Sequence, residues 1–345
     1  DHYSTTAVGA YAGTALESGS SNTFIGMNSG KANTNGYRNT FVGADSGLST
    51  TLGSLNVIIG ALAGDLLTTS GNNVLVGVSA GTAIAAGQTT TDGTVAIGSS
   101  ALAALTSGAA NTAIGYLALT EHLAGEKNTA VGYKSLYRTG GSNASGSNYN
   151  VAVGYEAMAG DWDNATSHYN TVVGSKSLSG VLNDAWHNTV VGYESAAGLT
   201  TGDQNTVIGA SANTSAVGSS NQTVIGYAAD GVADNSVTLG NAAVTAVYMS
   251  EDSGALVHCG GVTAKANTSG NVCALSLSGN DSSSGGGDGG SAIELQSNDA
   301  LKWKILQRNQ TAFGAAYAIQ IIDADENDGV YMNQGGTGWA DVSDE

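Results

Sequence analysis

The sequence predicts an all-β chain: a parallel β-roll or β-solenoid of about fourteen 17-residue turns, followed by a smaller β-rich C-terminal tip. Three observations carry this. A five-residue phrase (Asn, then Thr or Val, then two apolar residues, then Gly) recurs with small variations fourteen times, clear copies being Asn22–Gly26, Asn39–Gly43, Asn111–Gly115, Asn128–Gly132 and Asn205–Gly209. Eight of the thirteen spacings between closing glycines, from Gly9 to Gly240, are 17 residues. Proline is absent from all 345 residues, which suits a continuous parallel ladder that uses every backbone N–H. A fixed period of this size marks a solenoid, whose repeats bury their apolar faces only by stacking on neighbours.

Each position of the phrase has a physical reading. The second is Thr or Val and the fourth Val or Ile, with Leu239 in the last copy; β-branched side chains suit a strand. These two are expected to point into the coil and the third to point outward. Yet the third is also apolar or small, as in Phe24, Phe41, Ile58, Leu75, Val172, Val190 and Val207. A strand apolar on both faces is buried on both, so the outer face requires a second body. Three rods around a common axis are an economical cover; a lone rod with exposed stripes is the plainer alternative. Ten copies open with Asn, whose amides can stack into a ladder. The closing Gly fits a corner needing positive φ or close backbone approach. Three residues beyond each Gly stands only Ala or Ser, from Ala12 to Ala243, a corner with no room for more. With two short strands per coil and turns about 4.8 Å apart, the rod is roughly 65 Å long.

Composition narrows function. The net charge is −18 with only ten Lys and Arg, which argues against a nucleic-acid partner and reads as a soluble, self-repelling surface. No apolar run approaches the length of a membrane span, so no membrane insertion is expected. Residue 1 is Asp, and no signal peptide is visible, so a processed chain or fragment is expected. Cys259 and Cys273 either bridge neighbouring strands or are two small buried residues. Their spacing fits no zinc pattern, and no metal or cofactor is expected.

Along the chain, residues 1–243 form the repeat shaft, 244–270 a neck-like transition, and 271–345 the tip domain. Ala242–Met249 reads as a strand leaving the rod. Further strands are expected near Ala255–His258, Val272–Ser278, Ala292–Leu295, Leu301–Gln307, Ala315–Ile322 and Val330–Met332. Ser282–Gly290 reads as a flexible loop, and the Asp328-Gly329 step as a hairpin. The period lengthens before Gly98, Gly154, Gly174 and Gly192; insertions in a solenoid map to loops on one face, often the binding face. The last three carry Tyr137, Tyr149, Trp162, His168, Tyr169, Trp186 and His187, with Asp161, Asp163 and Asp184.

The Asn128-Thr-Ala-Val-Gly-Tyr133 type of phrase, with Ala or Ser two residues further on, resembles the head repeats of trimeric autotransporter adhesins. It is still more similar to repeats in tail fibres of tailed bacteriophages. The resemblance covers residues 5–243. It implies a left-handed parallel β-roll with three chains packed around one axis, which supplies the missing cover. It also implies attachment to other tail proteins through an N-terminal part. The stretch Gly329–Glu345 looks like the segment just before the intramolecular chaperone domain of phage fibres and endosialidases. That domain begins at a Ser-Asp-x-Arg-Leu-Lys junction, trimerises the fibre and cuts itself off beside the Ser. Ser343 and Asp344 are therefore the candidate maturation junction, although Asp344 and Glu345 both follow the serine. Nothing of the chaperone's catalytic part is in this chain, so no autoprotease activity is expected of it. An autotransporter would continue into heptads and a membrane anchor, and neither is present.

The best candidate site is a lateral receptor- or glycan-binding patch built from Tyr149, Trp162, Tyr169, Trp186 and His187. Flat aromatic faces stack on sugar rings, while Asp, Asn and His bond hydroxyls. The plainer reading is that these residues seal longer loops against the rod or a neighbouring chain. A depolymerase would need two carboxylates about 5–9.5 Å apart across a groove; Asp161, Asp163 and Asp184 are available, but thin coils offer no deep cleft. Asp323–Gly329 departs from a calcium loop, with Gly one residue late and Gln334 where Glu belongs. His258 beside Cys259 could approach a three-fold axis; a lone His is more often satisfied by a neighbour. The expected function is a non-enzymatic, homotrimeric virion fibre that recognises a host cell-surface glycan or receptor. The alternatives are a bacterial cell-surface adhesin or extracellular filament, and a polysaccharide depolymerase fibre.

Overall fold

The computed structural model describes residues 4–84, 91–139, 146–162, 166–245 and 247, and, in the C-terminal part, the strands at 291–297, 300–308, 318–323, 329–333 and 340–341. The chain divides into two units, Asp1–Met249 and Ser250–Glu345. In the first, each copy of the phrase forms one short strand: β1 (Thr6–Val8), β2 (Thr23–Ile25), β3 (Thr40–Val42), β4 (Val57–Ile59), β5 (Val74–Val76), β6 (Val95–Ile97), β7 (Thr112–Ile114), β8 (Thr129–Val131), β9 (Val151–Val153), β10 (Thr171–Val173), β11 (Thr189–Val191), β12 (Thr206–Ile208), β13 (Gln222–Ile225) and β14 (Ser236–Leu239). These fourteen strands pair in chain order as a single sheet. The pairing is parallel and copy-to-copy, as in Thr112↔Thr129, Ala113↔Ala130 and Ile114↔Val131. The predicted β-solenoid is therefore the fold.

The coil holds one strand, not the two expected. The remainder of each turn is still laddered through the backbone: Asp45 N–H to Met27 O at 2.9 Å, Gly47 N–H to Ala63 O at 3.0 Å and Ser49 N–H to Asp65 O at 3.0 Å. Corners in left-handed conformation keep these stretches from being strands, and many are not glycine: the residue before each ladder Asn has φ near +60°, as at Tyr149 and Tyr169. Hydrogen bonds to the coils above and below hold such corners in place at a local cost of about 1–3 kcal/mol each.

The faces of the strand are the reverse of the expectation. The third position of the phrase points into the coil and is fully buried, from Phe24 and Phe41 to Val207 and Val224, while the fourth is outermost. Volume explains this. Where the third position is Phe41, the residue four beyond the closing Gly is Gly47, and a Cβ there would lie 2.6 Å from the Phe41 ring. Where the third position is Ala113, Ala130 or Ala152, the same partner position is Leu119, Leu136 or Met158, all buried. Large and small exchange places across one interior, as close packing requires. A uniform branched pair needs no such compensation, because it faces out.

A further interior column stands seven or eight residues past the closing Gly in the eight coils from Gly60 to Gly192: Leu67, Ile84, Leu105, His122, Thr139, Trp162, Leu182 and Leu199, all buried. The predicted Asn ladder is present. The Asn170 amide donates to Asn150 Oδ1 (3.1 Å) and Ala185 O (2.8 Å), while its own Oδ1 accepts the Asn188 N–H at 3.0 Å. Gln222 continues the ladder by donating its backbone N–H to Asn205 Oδ1 at 3.0 Å. The closing glycines serve both proposed ends. Gly43 has φ +137°, and a Cβ there would sit 2.6 Å from the Gly60 carbonyl. The expected strand Ala242–Met249 does not form where the chain is described: the last rod strand is Ser236–Leu239, and Ala242–Ala243 is a turn. Once Gly240 closes the coil, no following repeat offers a ladder partner.

Among the described residues the second unit has five strands, β15 (Ser291–Ser297), β16 (Ala300–Arg308), β17 (Ala318–Asp323), β18 (Gly329–Asn333) and β19 (Ala340–Asp341), paired in chain order. Neighbours are antiparallel, and Ile322↔Gly329 closes the hairpin that the Asp-Gly step predicted. The expected strands Ala255–His258 and Val272–Ser278, the loop Ser282–Gly290, both cysteines, His258, Ser343 and Asp344 lie outside the described residues. So does most of the 244–270 transition.

Candidate aromatic recognition surface

Aligning the copies by their ladder Asn gives every outward residue a column. The residue just before that Asn is exposed and left-handed at Lys127 (φ 58°), Tyr149 (59°), Tyr169 (59°) and His187 (59°). Copy-to-copy stacking then makes a continuous pile. The Tyr149 and Tyr169 ring centroids are 4.9 Å apart and 11° from parallel. Tyr169 and His187 are 5.0 Å apart and 7° from parallel. Lys127 caps the pile, its Nζ 4.9 Å from the Tyr149 centroid, and donates to Tyr149 Oη and Glu126 Oε1, each at 2.9 Å. The hydrogen bond to Tyr149, then that to Glu126, pushes the Lys127 ammonium's pKa up.

The residue one further back forms a second column beside it: Glu126, Asn148, His168, Trp186 and Asp203. Here each side chain tends to accept the backbone N–H of the preceding coil. Glu126 N–H reaches Asn148 Oδ1 at 2.6 Å, Asn148 N–H reaches His168 Nδ1 at 3.0 Å, and Trp186 N–H reaches Asp203 Oδ1 at 2.6 Å. His168 Nδ1 is thus an acceptor, which fixes the neutral tautomer with its proton on Nε2. Partial burial lowers the His168 pKa against the opposing field of Asp184. The Trp186 ring meets His168 edge-on at 5.3 Å.

Tyr149, Tyr169, Trp186 and His187 are therefore brought together, and His168 and Lys127 join them. Trp162 is not part of this surface: it is fully buried in the interior column. The 20-residue spacing before Gly174 leaves Trp162 eight residues past Gly154, where leucines stand in other coils. It belongs to the buried core of a lengthened coil. Lys127 was missed because it lies outside the insertions, yet it holds the same position relative to its Asn.

The geometry changes the chemistry available. Rings piled along the rod spend their faces on one another, worth about 0.5–1.5 kcal/mol per pair. Solvent meets ring edges, two phenol hydroxyls, imidazole nitrogens and the Lys127 ammonium. That surface bonds polar groups rather than offering broad stacking platforms. A second pile, Tyr116–Tyr133–Tyr155, lies on the residue after the closing Gly, with centroids 5.5 and 5.3 Å apart. Of the carboxylates weighed for hydrolysis, Asp161 is held by Arg138 at 2.7 Å, Asp184 is exposed, and Asp163 lies outside the described residues. Among the described residues no group of three or more His, Cys, Asp or Glu is placed to hold a metal, and no helix is long and apolar enough to cross a membrane. No family model matches the chain, and no curated protein matches it.

Proposed function

We propose that the chain is one subunit of a homotrimeric, non-enzymatic fibre of a phage virion, whose rod serves as shaft and as a lateral recognition surface for a host cell-surface glycan or receptor. The observation that carries the trimer is the outward stripe at the fourth position of the phrase. Ile25, Ile59, Ile97, Ile114, Ile208 and Ile225 each leave 37–40% of their surface exposed, in line along one sheet. Covering that fraction of a branched aliphatic side chain contributes on the order of 1 kcal/mol per residue. A straight apolar ribbon of this length is complementary to further copies of itself. The phage assignment is supported by the likeness of the repeats and of the stretch before Ser343 to tail-fibre segments. The recognition role is supported by the piled aromatic and cationic residues between Lys127 and His187.

Sedimentation equilibrium of the purified chain tests the assembly: the expected mass is three chains of 34.1 kDa. The double variant Ile97→Asp/Ile114→Asp is expected to shift it to the single-chain mass. A parent that sediments as one chain overturns the trimer. Labelled fibre is expected to coat cells of the bacterium that the virion infects and to block adsorption of the virion. A trimer that neither binds those cells nor blocks adsorption overturns the recognition role.

A further inference from the structure

The pile Tyr116–Tyr133–Tyr155 stops one coil short of a further tyrosine. Backbone hydrogen bonds fix the column without ambiguity: Glu156 N–H to Tyr133 O (2.9 Å), Lys176 N–H to Tyr155 O (2.8 Å), Glu194 N–H to Ser175 O (3.0 Å) and Ser211 N–H to Tyr193 O (2.8 Å). The next rung above Tyr155 is therefore Ser175, and the one above that is Tyr193. Two coil steps separate the tyrosine rungs, roughly 10 Å, with only a serine between them. Exposure follows the missing neighbours: Tyr133, with rings above and below, is 40% exposed, Tyr155 48% and Tyr193 52%.

The gap is furnished on its sides. The Tyr193 hydroxyl donates to Glu194 Oε1 at 2.7 Å, and the neighbouring Glu156 raises the Tyr155 pKa. The residue beside the empty rung is Lys176. Its counterpart two coils earlier, Lys134, lies between two rings, 5.4 Å from Tyr133 and 5.1 Å from Tyr137. In the Lys176 coil those two ring positions are Ser175 and Ser179. Lys176 has neither ring nor ion pair among the described residues. It also lines a groove shared with Lys134, Tyr137, Glu156 and Ser179.

We infer that the empty rung at Ser175 is a binding slot for a pyranose ring carrying a carboxylate, its faces against Tyr155 and Tyr193 and its carboxylate on Lys176. This rests on the fibre reading above and names the ligand class. The two ring faces select a ring. The pile's own step of 5.3–5.5 Å admits a puckered sugar, and the Lys176 ammonium, without an ion pair among the described residues, selects an acid. The next gap in the column provides an internal contrast: Ala210 separates Tyr193 from Tyr227, but the residue beside it is Ser211, so it has no cation.

The test is a glycan array with glucuronate- and N-acetylneuraminate-terminated oligosaccharides beside their neutral counterparts, probed with the parent fibre, Ser175→Tyr and Lys176→Gln. The parent is expected to favour the acidic probes. Ser175→Tyr completes the pile and is expected to weaken binding about tenfold or more while keeping the assembled mass and the thermal midpoint. Lys176→Gln is expected to erase the preference for acidic over neutral probes. A parent without that preference, or a Ser175→Tyr fibre that binds as the parent does, overturns the slot. If Ser175→Tyr fails to assemble, Tyr193→Ala opens one side of the slot instead, and unchanged binding by it is equally fatal. A trimer that coats host cells but ignores acidic glycans overturns the slot and leaves the fibre reading standing. A single-chain mass with acidic-glycan binding does the reverse.

Discussion

Replacing His122 by Leu isolates the pH dependence that one buried imidazole builds into the rod. His122 is 1% exposed, inside the coil. Its Nε2 lies 3.3 Å from Asn128 Nδ2 and its Nδ1 3.0 Å from Thr139 Oγ1. The amide is a donor, so Nε2 accepts and Nδ1 keeps the proton, donating it to Thr139. A second proton on Nε2 would face the amide hydrogens. Burial pushes the pKa from 6.5 down to about 4. The folded pKa is therefore below the unfolded one, and between pH 6.5 and 4 the unfolded state holds a proton that the folded state lacks. Stability is full above pH 6.5 and falls as the pH drops, by about 1.4 kcal/mol per unit. At pH 4.5 the loss is about 2–3 kcal/mol per chain. Leucine fills the equivalent position at Leu105 and Leu199, so His122→Leu fits the interior. Hydrogen exchange of the segment 119–139, corrected for intrinsic rates, reads the local opening free energy. Between pH 7 and 4.5 it should fall about 2–3 kcal/mol further in the parent than in the variant. Carboxylates such as Asp65, whose pKa burial raises, titrate in both proteins and cancel. Parallel pH profiles would refute the reasoning.

Asn170→Ala should lower stability by about 2–5 kcal/mol, because it leaves the buried Ala185 carbonyl and Asn188 N–H without their partners; thermal unfolding checks this, and a loss below 1 kcal/mol would count against the ladder. Phe41→Ala and Gly47→Leu should each destabilise, by about 3–5 and 1–3 kcal/mol respectively. The double variant should recover most of the loss, since it recreates the Ala130–Leu136 arrangement. Additive losses would show that the two positions do not share one space. Tyr169→Ala removes the middle of the pile and should cost about 1–3 kcal/mol from two ring contacts, read as a lowered unfolding midpoint with the assembled mass unchanged.

Much of this was legible because stacking is periodic. Once copies are aligned on the ladder Asn, Tyr149, Tyr169 and His187 fall in one column without any coordinates. The pairing of Phe41 with Gly47 and of Ala130 with Leu136 is likewise written in the sequence as opposite sizes at a fixed offset. The facing of the strand was not legible from side-chain type: both faces are apolar, so hydropathy cannot choose between them, and only the variation in volume at the third position marks the interior. Trp162 was misplaced for a related reason. A tryptophan in a lengthened coil suits either a surface or a core, and its burial depends on which residue of the insertion falls on the interior column.

The sequence by itself determined a parallel solenoid, its register, its Asn ladder and its small-residue corners, because each follows from repetition: identical residues stacked one coil apart make the same local bonds in every copy. Only the tertiary structure decided which way the strand faces, that each coil holds one strand, and that the aromatic rings lie on one another with their edges outward. Those depend on how a corner of left-handed residues turns the chain, and hence on which side chains share a volume, a property of the closed coil rather than of any single repeat.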